Sequence, residues 1–283
     1  VNAHLLLNPD LTNTALIVAN GFTNKGTISL NSNSTLNTNL QVLAGDLIND
    51  GTINFGGTSI SSLTQRKLIS DLINNGIVNV NQDAQLSKVN GTYTNNNGFN
   101  IAAARTLSFG STFGVFHQNA GIVNNMGAFN FASDILNFNG GDFTGNAITL
   151  ESSTLNIGLG STGTGTFNMT RNGNYSGDLA ANQVLNILDS NTNTLITAAG
   201  DFANNGIINL NSDTTFDVGL FRNGTITNNN IINFGGTSDS TLTRRRLTAS
   251  LVNNGVVNID RSAQFTHVNG VYTNNDTINI AAG

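Results

Sequence analysis

The feature that most constrains this chain is a nine-residue unit that returns along most of its length. Clear copies are Leu47–Phe55, Leu72–Val80 and Tyr93–Ile101, and further copies start at residues 22, 123, 202, 226, 251 and 272. Positions 1, 7 and 9 are apolar in each copy, so positions 7 to 9 alternate as in a strand with one buried face. The copies start about 21 to 30 residues apart, which matches one coil of a solenoid. We therefore predict an all-β fold, a parallel β-helix (β-solenoid) with about 21–30 residues per coil.

A longer period lies above this unit. Residues 51–104 match residues 230–283 at an offset of 179, and residues 13–40 match 193–220 at an offset of 180. We predict one continuous solenoid segment over residues 1–283. Its first super-repeat copy covers about residues 13–191, and an incomplete second copy covers about 192–283. Because the second copy stops part-way, we expect the chain to be a piece of a longer tandem array.

Two polar positions of the unit have predicted structural roles. Position 3 is Asn in every copy and shares the parity of the buried position 1, so we predict an inward or corner row of stacked, hydrogen-bonded amides. This row is Asn24, Asn49, Asn74, Asn95, Asn125, Asn204, Asn228, Asn253 and Asn274. Position 5 is Gly, Asn or Asp, residue types that tolerate a left-handed backbone. The predicted left-handed corner glycines are Gly26, Gly51, Gly76, Gly127, Gly206 and Gly255.

Position 8 has the opposite parity and is predicted to face outward. It is Ser29 in one copy and Asn in the others, which gives a polar stripe on one sheet. Such a stripe serves either as a solvated face or as a surface for glycans or a neighbouring rod.

The composition and the spacing of reactive residues indicate no catalytic or cofactor site. Charged residues make up 10% of the chain, the net charge is −5 and there is no Cys, so neither a nucleic-acid footprint nor a thiolate metal site is indicated. His4, His117 and His267 lack partners at metal-ligand spacing. No stretch approaches the ~20 apolar residues that span a bilayer. We predict no catalytic residue, no metal site and no cofactor, although carboxylates that converge from different coils would revive a β-helix carbohydrate-active enzyme.

Five of the eleven basic residues fall in two equivalent segments, 56–68 and 235–247. They are Arg66, Lys67, Arg244, Arg245 and Arg246. One interpretation is a contact loop for anionic polysaccharide or for acidic residues on an adjacent fibre. The alternative is an exposed loop whose positive charges limit pairing at a sheet edge.

The Asn-Asn-Gly-x-Ile-Asn-Ile coils resemble the β-helical repeats of bacterial filamentous-haemagglutinin-like and autotransporter-type surface proteins. The resemblance spans most of the chain and is generic to that architecture. It implies a right-handed parallel β-helix with three sheets, export to the cell surface, and a role in adhesion, biofilm or fibre formation.

Together these observations predict a non-catalytic structural rod segment of an extracellular fibre or adhesin. The alternatives are a glycan-binding β-helix module and a filament subunit that assembles end to end. The expected partners are neighbouring repeats of the same chain or identical subunits in a fibre, with glycans as further candidates. Neither nucleic acid nor a membrane span in this segment is expected.

Overall fold

A computed structural model describes residues 3–9, 12–60, 65–110, 113–240 and 243–281, and every regular element in those ranges is a β-strand. The strands stack in parallel as a β-solenoid with about 12 turns of about 23 residues. This confirms the predicted fold class. One coil is shorter than predicted, since 18 residues separate the stacked Asn168 and Asn186.

The chain divides into two compact units, Val1–Ile148 and Thr149–Gly283, which are described separately. The division falls within the first copy of the predicted super-repeat.

The described residues of the first unit contain sixteen complete strands. They are β1 (His4–Leu7), β2 (Thr14–Asn24), β3 (Thr27–Asn31), β4 (Thr38–Asn49), β5 (Thr52–Gly56), β6 (Arg66–Asn74), β7 (Ile77–Val80), β8 (Ala84–Leu86), β9 (Thr92–Asn95), β10 (Gly98–Ile101), β11 (Thr106–Phe109), β12 (Val115–Gln118), β13 (Ile122–Asn125), β14 (Ala128–Ala132), β15 (Ile135–Phe138) and β16 (Asp142–Gly145). Strand β17 (Ile148–Glu151) spans the division.

Within the part of the second unit that the structure describes there are fourteen strands. They are β18 (Thr154–Ile157), β19 (Gly165–Thr170), β20 (Gly173–Ser176), β21 (Gln183–Leu188), β22 (Thr194–Ala198), β23 (Phe202–Asn204), β24 (Ile207–Asn211), β25 (Val218–Asn228), β26 (Ile231–Gly235), β27 (Arg245–Asn253), β28 (Val256–Ile259), β29 (Ala263–Phe265), β30 (Tyr272–Asn274) and β31 (Thr277–Ile280).

The strands of the first unit form three faces. The first face is the seven-stranded sheet β1-β3-β5-β7-β10-β13-β16. The second face comprises the N-terminal parts of β2, β4 and β6 followed by β8, β11 and β14. The third face comprises the C-terminal parts of β2, β4 and β6 followed by β9, β12 and β15. Register shifts inside β2–β4 and β4–β6 mark the bends where one long strand passes from the second face to the third.

The second unit has the same arrangement. Its first face is β19, β21, β24, β26, β28 and β31, and its second face is β18, β20, β22, β29 and the N-terminal parts of β25 and β27. Its third face is β23, the C-terminal parts of β25 and β27, and β30.

The apolar positions of the nine-residue unit form the core. Leu47, Ile53 and Phe55, at positions 1, 7 and 9 of one copy, are fully buried. Equivalent residues of successive coils are in register, as in the Ile53–Val78 and Phe55–Val80 pairs. Each apolar side chain therefore packs between its counterparts in the coils above and below, which buries a continuous core along each unit.

The corner glycines are not left-handed, so that prediction is wrong. None of Gly26, Gly51, Gly76, Gly127, Gly206 and Gly255 has a positive φ. At these glycines neighbouring backbone lies close to where a Cβ would stand, although Asn97, Asn230 and Asp276 carry a side chain at the same position of other copies. A Cβ on Gly51 would lie 2.1 Å from the carbonyl oxygen of Gly26, and a Cβ on Gly76 would lie 2.0 Å from that of Gly51. Left-handed backbone occurs in other turns, such as the equivalent Asn90 (φ 51°) and Asn269 (φ 57°).

Candidate functional site

A row of buried amides, called the inner ladder, follows the interior edge of each unit. In the first unit it consists of Asn24, Asn49, Asn74, Asn95 and Gln118, and in the second of Asn204, Asn228, Asn253 and Asn274. Each Asn Nδ2 donates to the side-chain oxygen of the next coil's amide, at 2.7 Å between asparagines and 2.8 Å for Asn95 to Gln118. The interior members are fully buried.

The inner ladder also binds the main chain, and this sets its direction. The Nδ2 of Asn49 donates both to Oδ1 of Asn74 and to the carbonyl oxygen of Ile77 at 3.2 Å. A carbonyl oxygen only accepts, so this contact identifies the nitrogen end of the amide. The Oδ1 of Asn24 accepts from the N–H of Gly26 at 3.1 Å. The ladder therefore donates from each coil to the next one along the chain.

One predicted member of the row, Asn125, lies elsewhere. It is in register with Ile101, whereas Gln118 is in register with Asn95. Gln118 Nε2 donates to the carbonyl oxygen of Ala120 at 2.8 Å. The prediction for Asn125 is wrong because the copy that starts at residue 123 is shifted by one face. Its Val123 stacks on Phe99, at position 7 of the previous copy.

Two further ladders lie on the outside. The outer ladder, at position 8 and its equivalents, is Asn54, Asn79 and Asn100 in the first unit and Asn168, Asn186, Asn209, Asn233, Asn258 and Asn279 in the second. The corner ladder, at position 4 and its equivalents, is Asp50, Asn75, Asn96, Asn119 and Asn139, then Asn205, Asn229, Asn254 and Asn275. Both donate toward the preceding coil, opposite to the inner ladder. The corner ladder was missed in the sequence, although a second Asn after position 3 marks it.

The predicted basic contact loops contain two buried arginines. Arg66 and Arg245 are each 1% exposed. Arg66 Nη2 donates to the carbonyl oxygens of Ser32 and Ser59, both at 3.0 Å, and its Nε donates to that of Gly56 at 2.5 Å. Such short bonds from a cation to main-chain carbonyls compensate part of the cost of burial.

Arg245 repeats this cage in the second unit. Its Nη2 donates to the carbonyl oxygens of Ser212 and Ser238, at 2.9 and 3.0 Å, and its Nε donates to that of Gly235. Burial lowers the pKa of both guanidinium groups from the ordinary value for Arg. Neither arginine takes part in an ion pair among the described residues.

Arg66 and Arg245 therefore cannot be part of an exposed contact loop. The other three basic residues lie nearer the surface. Arg246 pairs with Asp217 at 2.8 Å, Arg244 reaches the same carboxylate at 3.9 Å, and Lys67 is half-buried. Residues 61–64 and 241–242 of these segments lie outside the described residues.

No family model, curated protein or solved structure matches this chain.

The histidines are separate from one another. His4 Nε2 lies 3.0 Å from Ser29 Oγ, and His117 Nδ1 accepts from Asn137 at 3.3 Å. His267 Nδ1 lies 3.4 Å from Ser250 Oγ. Burial lowers the pKa of His117. In the described part of the chain, no three His, Asp or Glu side chains form a group that could hold a metal ion. Across the same part, no helix has the length and apolarity to cross a membrane.

The three amide ladders and the two buried arginines join each coil to its neighbours. Amides bind amides or main-chain carbonyls, and the two buried cations bind main-chain carbonyls. An exception is the first face of the first unit, where the outer ladder stops at Asn100.

Proposed function

We propose that this chain is a non-catalytic structural segment of an extracellular fibre or adhesin. The observation that supports this most directly is the inner ladder. Asn49, for example, donates hydrogen bonds from its amide nitrogen to Oδ1 of Asn74 and to the carbonyl oxygen of Ile77. Its own Oδ1 accepts a hydrogen bond from Asn24, and all of these contacts lie inside the fold. An amide that is saturated in this way stabilises stacking and offers nothing to a substrate.

The outer surface supports the same proposal. The outer and corner ladders join neighbouring coils through neutral amides, and charged residues make up only 10% of the chain. Neutral hydrogen bonds are little weakened by salt, unlike surface ion pairs. This surface suits a protein that works outside the cell. The resemblance of the Asn-Asn-Gly coils to bacterial surface β-helices points in the same direction.

Surface labelling tests the proposal. Antibodies raised against the folded chain are applied to intact cells that naturally produce the protein, and bound antibody is located by immunogold electron microscopy. We expect gold particles outside the cell envelope, on fibres or on the cell surface. Cells that lack the gene and antibodies against a cytosolic protein serve as controls. Labelling that appears only after permeabilisation would overturn the extracellular assignment.

A further inference from the structure

The first face of the first unit carries a slot that is one side chain wide. The outward residues that precede the buried apolar position form a row, in which Thr27, Thr52, Ile77, Gly98 and Ile122 are in register. Gly98 has no side chain in this row, and Cδ1 of Ile77 leans over it, 2.6 Å from where a Cβ would stand. Because adjacent strands lie about 4.8 Å apart, the backbones of Ile77 and Ile122 are separated by about 10 Å. The open groove that contains Gly98 is lined also by Asn97, Gly121 and Thr144, and its whole volume is about 580 Å³.

The outer ladder is interrupted at the same point. Asn100 donates to Asn79 at 3.0 Å. Asn124 is in register with Asn100, yet its amide makes no side-chain hydrogen bond with any described residue. On the first face of the second unit, the outer ladder from Asn168 to Asn279 continues through every coil. The slot therefore holds a free carboxamide on Asn124 and an acceptor on Asn100 that takes no bond from the following coil.

The chemistry of the slot is neutral and amphipathic. Ile77 and Ile122 provide aliphatic walls, Asn100 and Asn124 provide amide donors and acceptors, and no lining residue is charged. Small-molecule sites combine apolar walls with a few convergent polar groups in this way. A ring with apolar C–H faces and hydroxyl groups at its edge matches both features, whereas an ionic group would find no opposite charge. We propose that this slot binds one pyranose ring of a neutral saccharide.

In the bound state the Ile77 side chain rotates away from Gly98, and the C–H faces of the ring contact Ile77 and Ile122. Its hydroxyl groups hydrogen-bond with Asn100 and Asn124. The super-repeat supports the role of Gly98, because Thr277 stands at the equivalent position in the second copy and fills the gap there with a side chain. The slot is therefore a feature of the first unit.

Two substitutions remove the slot by different means. Gly98→Ile restores the side chain found in the neighbouring coils, and the backbone of Gly98 is outside the left-handed region. A Cβ there would lie 2.6 Å from Cδ1 of Ile77, the free end of a side chain that can rotate away. Asn124→Ala removes the free amide. Thr52→Ile is the matched control, since it adds the same side chain to the same row away from the slot.

The test is binding of the full chain to an array of neutral and acidic oligosaccharides, with isothermal titration of the neutral ones that bind. We expect binding to at least one neutral oligosaccharide, unchanged by Thr52→Ile and weakened at least tenfold by Gly98→Ile and by Asn124→Ala. Circular dichroism confirms that each variant is folded. Binding to acidic saccharides alone, no binding at millimolar concentration, or full binding by Gly98→Ile would overturn the proposal. None of these results would affect the labelling test of cell-surface location.

Discussion

A buried primary amide has two N–H groups and a carbonyl oxygen to satisfy, and leaving one of them without a partner costs about 1–3 kcal/mol. The inner ladder meets this demand by repetition. Asn74 accepts from Asn49 and donates to Asn95 and to the carbonyl oxygen of Gly98. Each Asn in the row therefore depends on the coils before and after it.

Asn74→Ala tests this dependence. The change leaves an N–H of Asn49, the Oδ1 of Asn95 and the carbonyl oxygen of Gly98 without their side-chain partner, so we expect the free energy of unfolding of the first unit to fall by about 2–4 kcal/mol. Urea unfolding measures the loss. Asn125→Ala is the matched control, because Asn125 is also buried but its Oδ1 has no partner among the described residues. We expect about half the loss or less there, and equal losses would contradict the role of the ladder.

The alternation of buried and exposed positions predicted most members of the inner ladder. The positions where this prediction failed have physical explanations. The row was predicted because position 3 shares the parity of the buried position 1. Gln118 was missed because strand Val115–Gln118 carries no copy of the nine-residue unit, although a buried Phe116 two residues earlier repeats the Tyr93–Asn95 spacing. The same parity places Arg66 inside with Leu68. The positive charge favoured a surface interpretation, and the cage of main-chain carbonyls is visible only in three dimensions.

At the scale of the strand and its turns, the spacing between coils decides which residues are allowed. Strands Thr52–Gly56 and Ile77–Val80 were predicted by their alternation. The corner between strands was predicted to need a left-handed residue. At Gly51 the constraint is instead a carbonyl oxygen of the preceding coil, whereas Asn97 and Asn230 carry a side chain at the same corner of other copies. Local sequence cannot distinguish these two demands, because glycine meets both and the carbonyl that excludes a Cβ belongs to another coil.

Gly51→Ala separates the two demands. Its Cβ would lie 2.1 Å from the carbonyl oxygen of Gly26, so the two coils must move apart. Overpacking of this kind typically costs about 1–3 kcal/mol or more, so we expect a loss in that range, measured by urea unfolding. Gly200→Ala is the control, because no atom lies within 4 Å of the Cβ position and its φ is not positive. We expect a change within about 0.5 kcal/mol there. If Gly51→Ala left the free energy of unfolding unchanged, the two coils would be able to move apart at little cost, which would contradict the prediction.

At the scale of the whole chain, the super-repeat builds the arginine cage twice. Arg66 and Arg245 are separated by the predicted offset of 179 and bind matching sets of main-chain carbonyls. The equivalence was predicted from the sequence, while the burial of both residues was not. Because each coil of a solenoid contacts only its neighbours, we expect the two cages to act locally.

Hydrogen exchange of Arg66→Met and Arg245→Met tests this expectation. Loss of the guanidinium removes the bonds that hold the carbonyl oxygens of Ser59 and Ser238. A loss of about 1–3 kcal/mol corresponds to roughly 5- to 150-fold faster amide exchange. We expect this near residues 56–60 for the first variant and near 235–240 for the second. Arg244→Met, at a side chain that is 52% exposed, serves as the control and should leave exchange unchanged. Similar exchange in all three variants would mean that the cages do not hold these segments.

The opposed directions of the ladders have an electrostatic consequence. An α-helix accumulates a macrodipole because its peptide dipoles all point the same way. In each unit the amide dipoles of the inner ladder oppose those of the outer and corner ladders. Opposed dipoles partly cancel, as they do between the strands of a sheet. Coils can therefore be added to such a unit with less partial charge building up at its two ends than parallel ladders would produce.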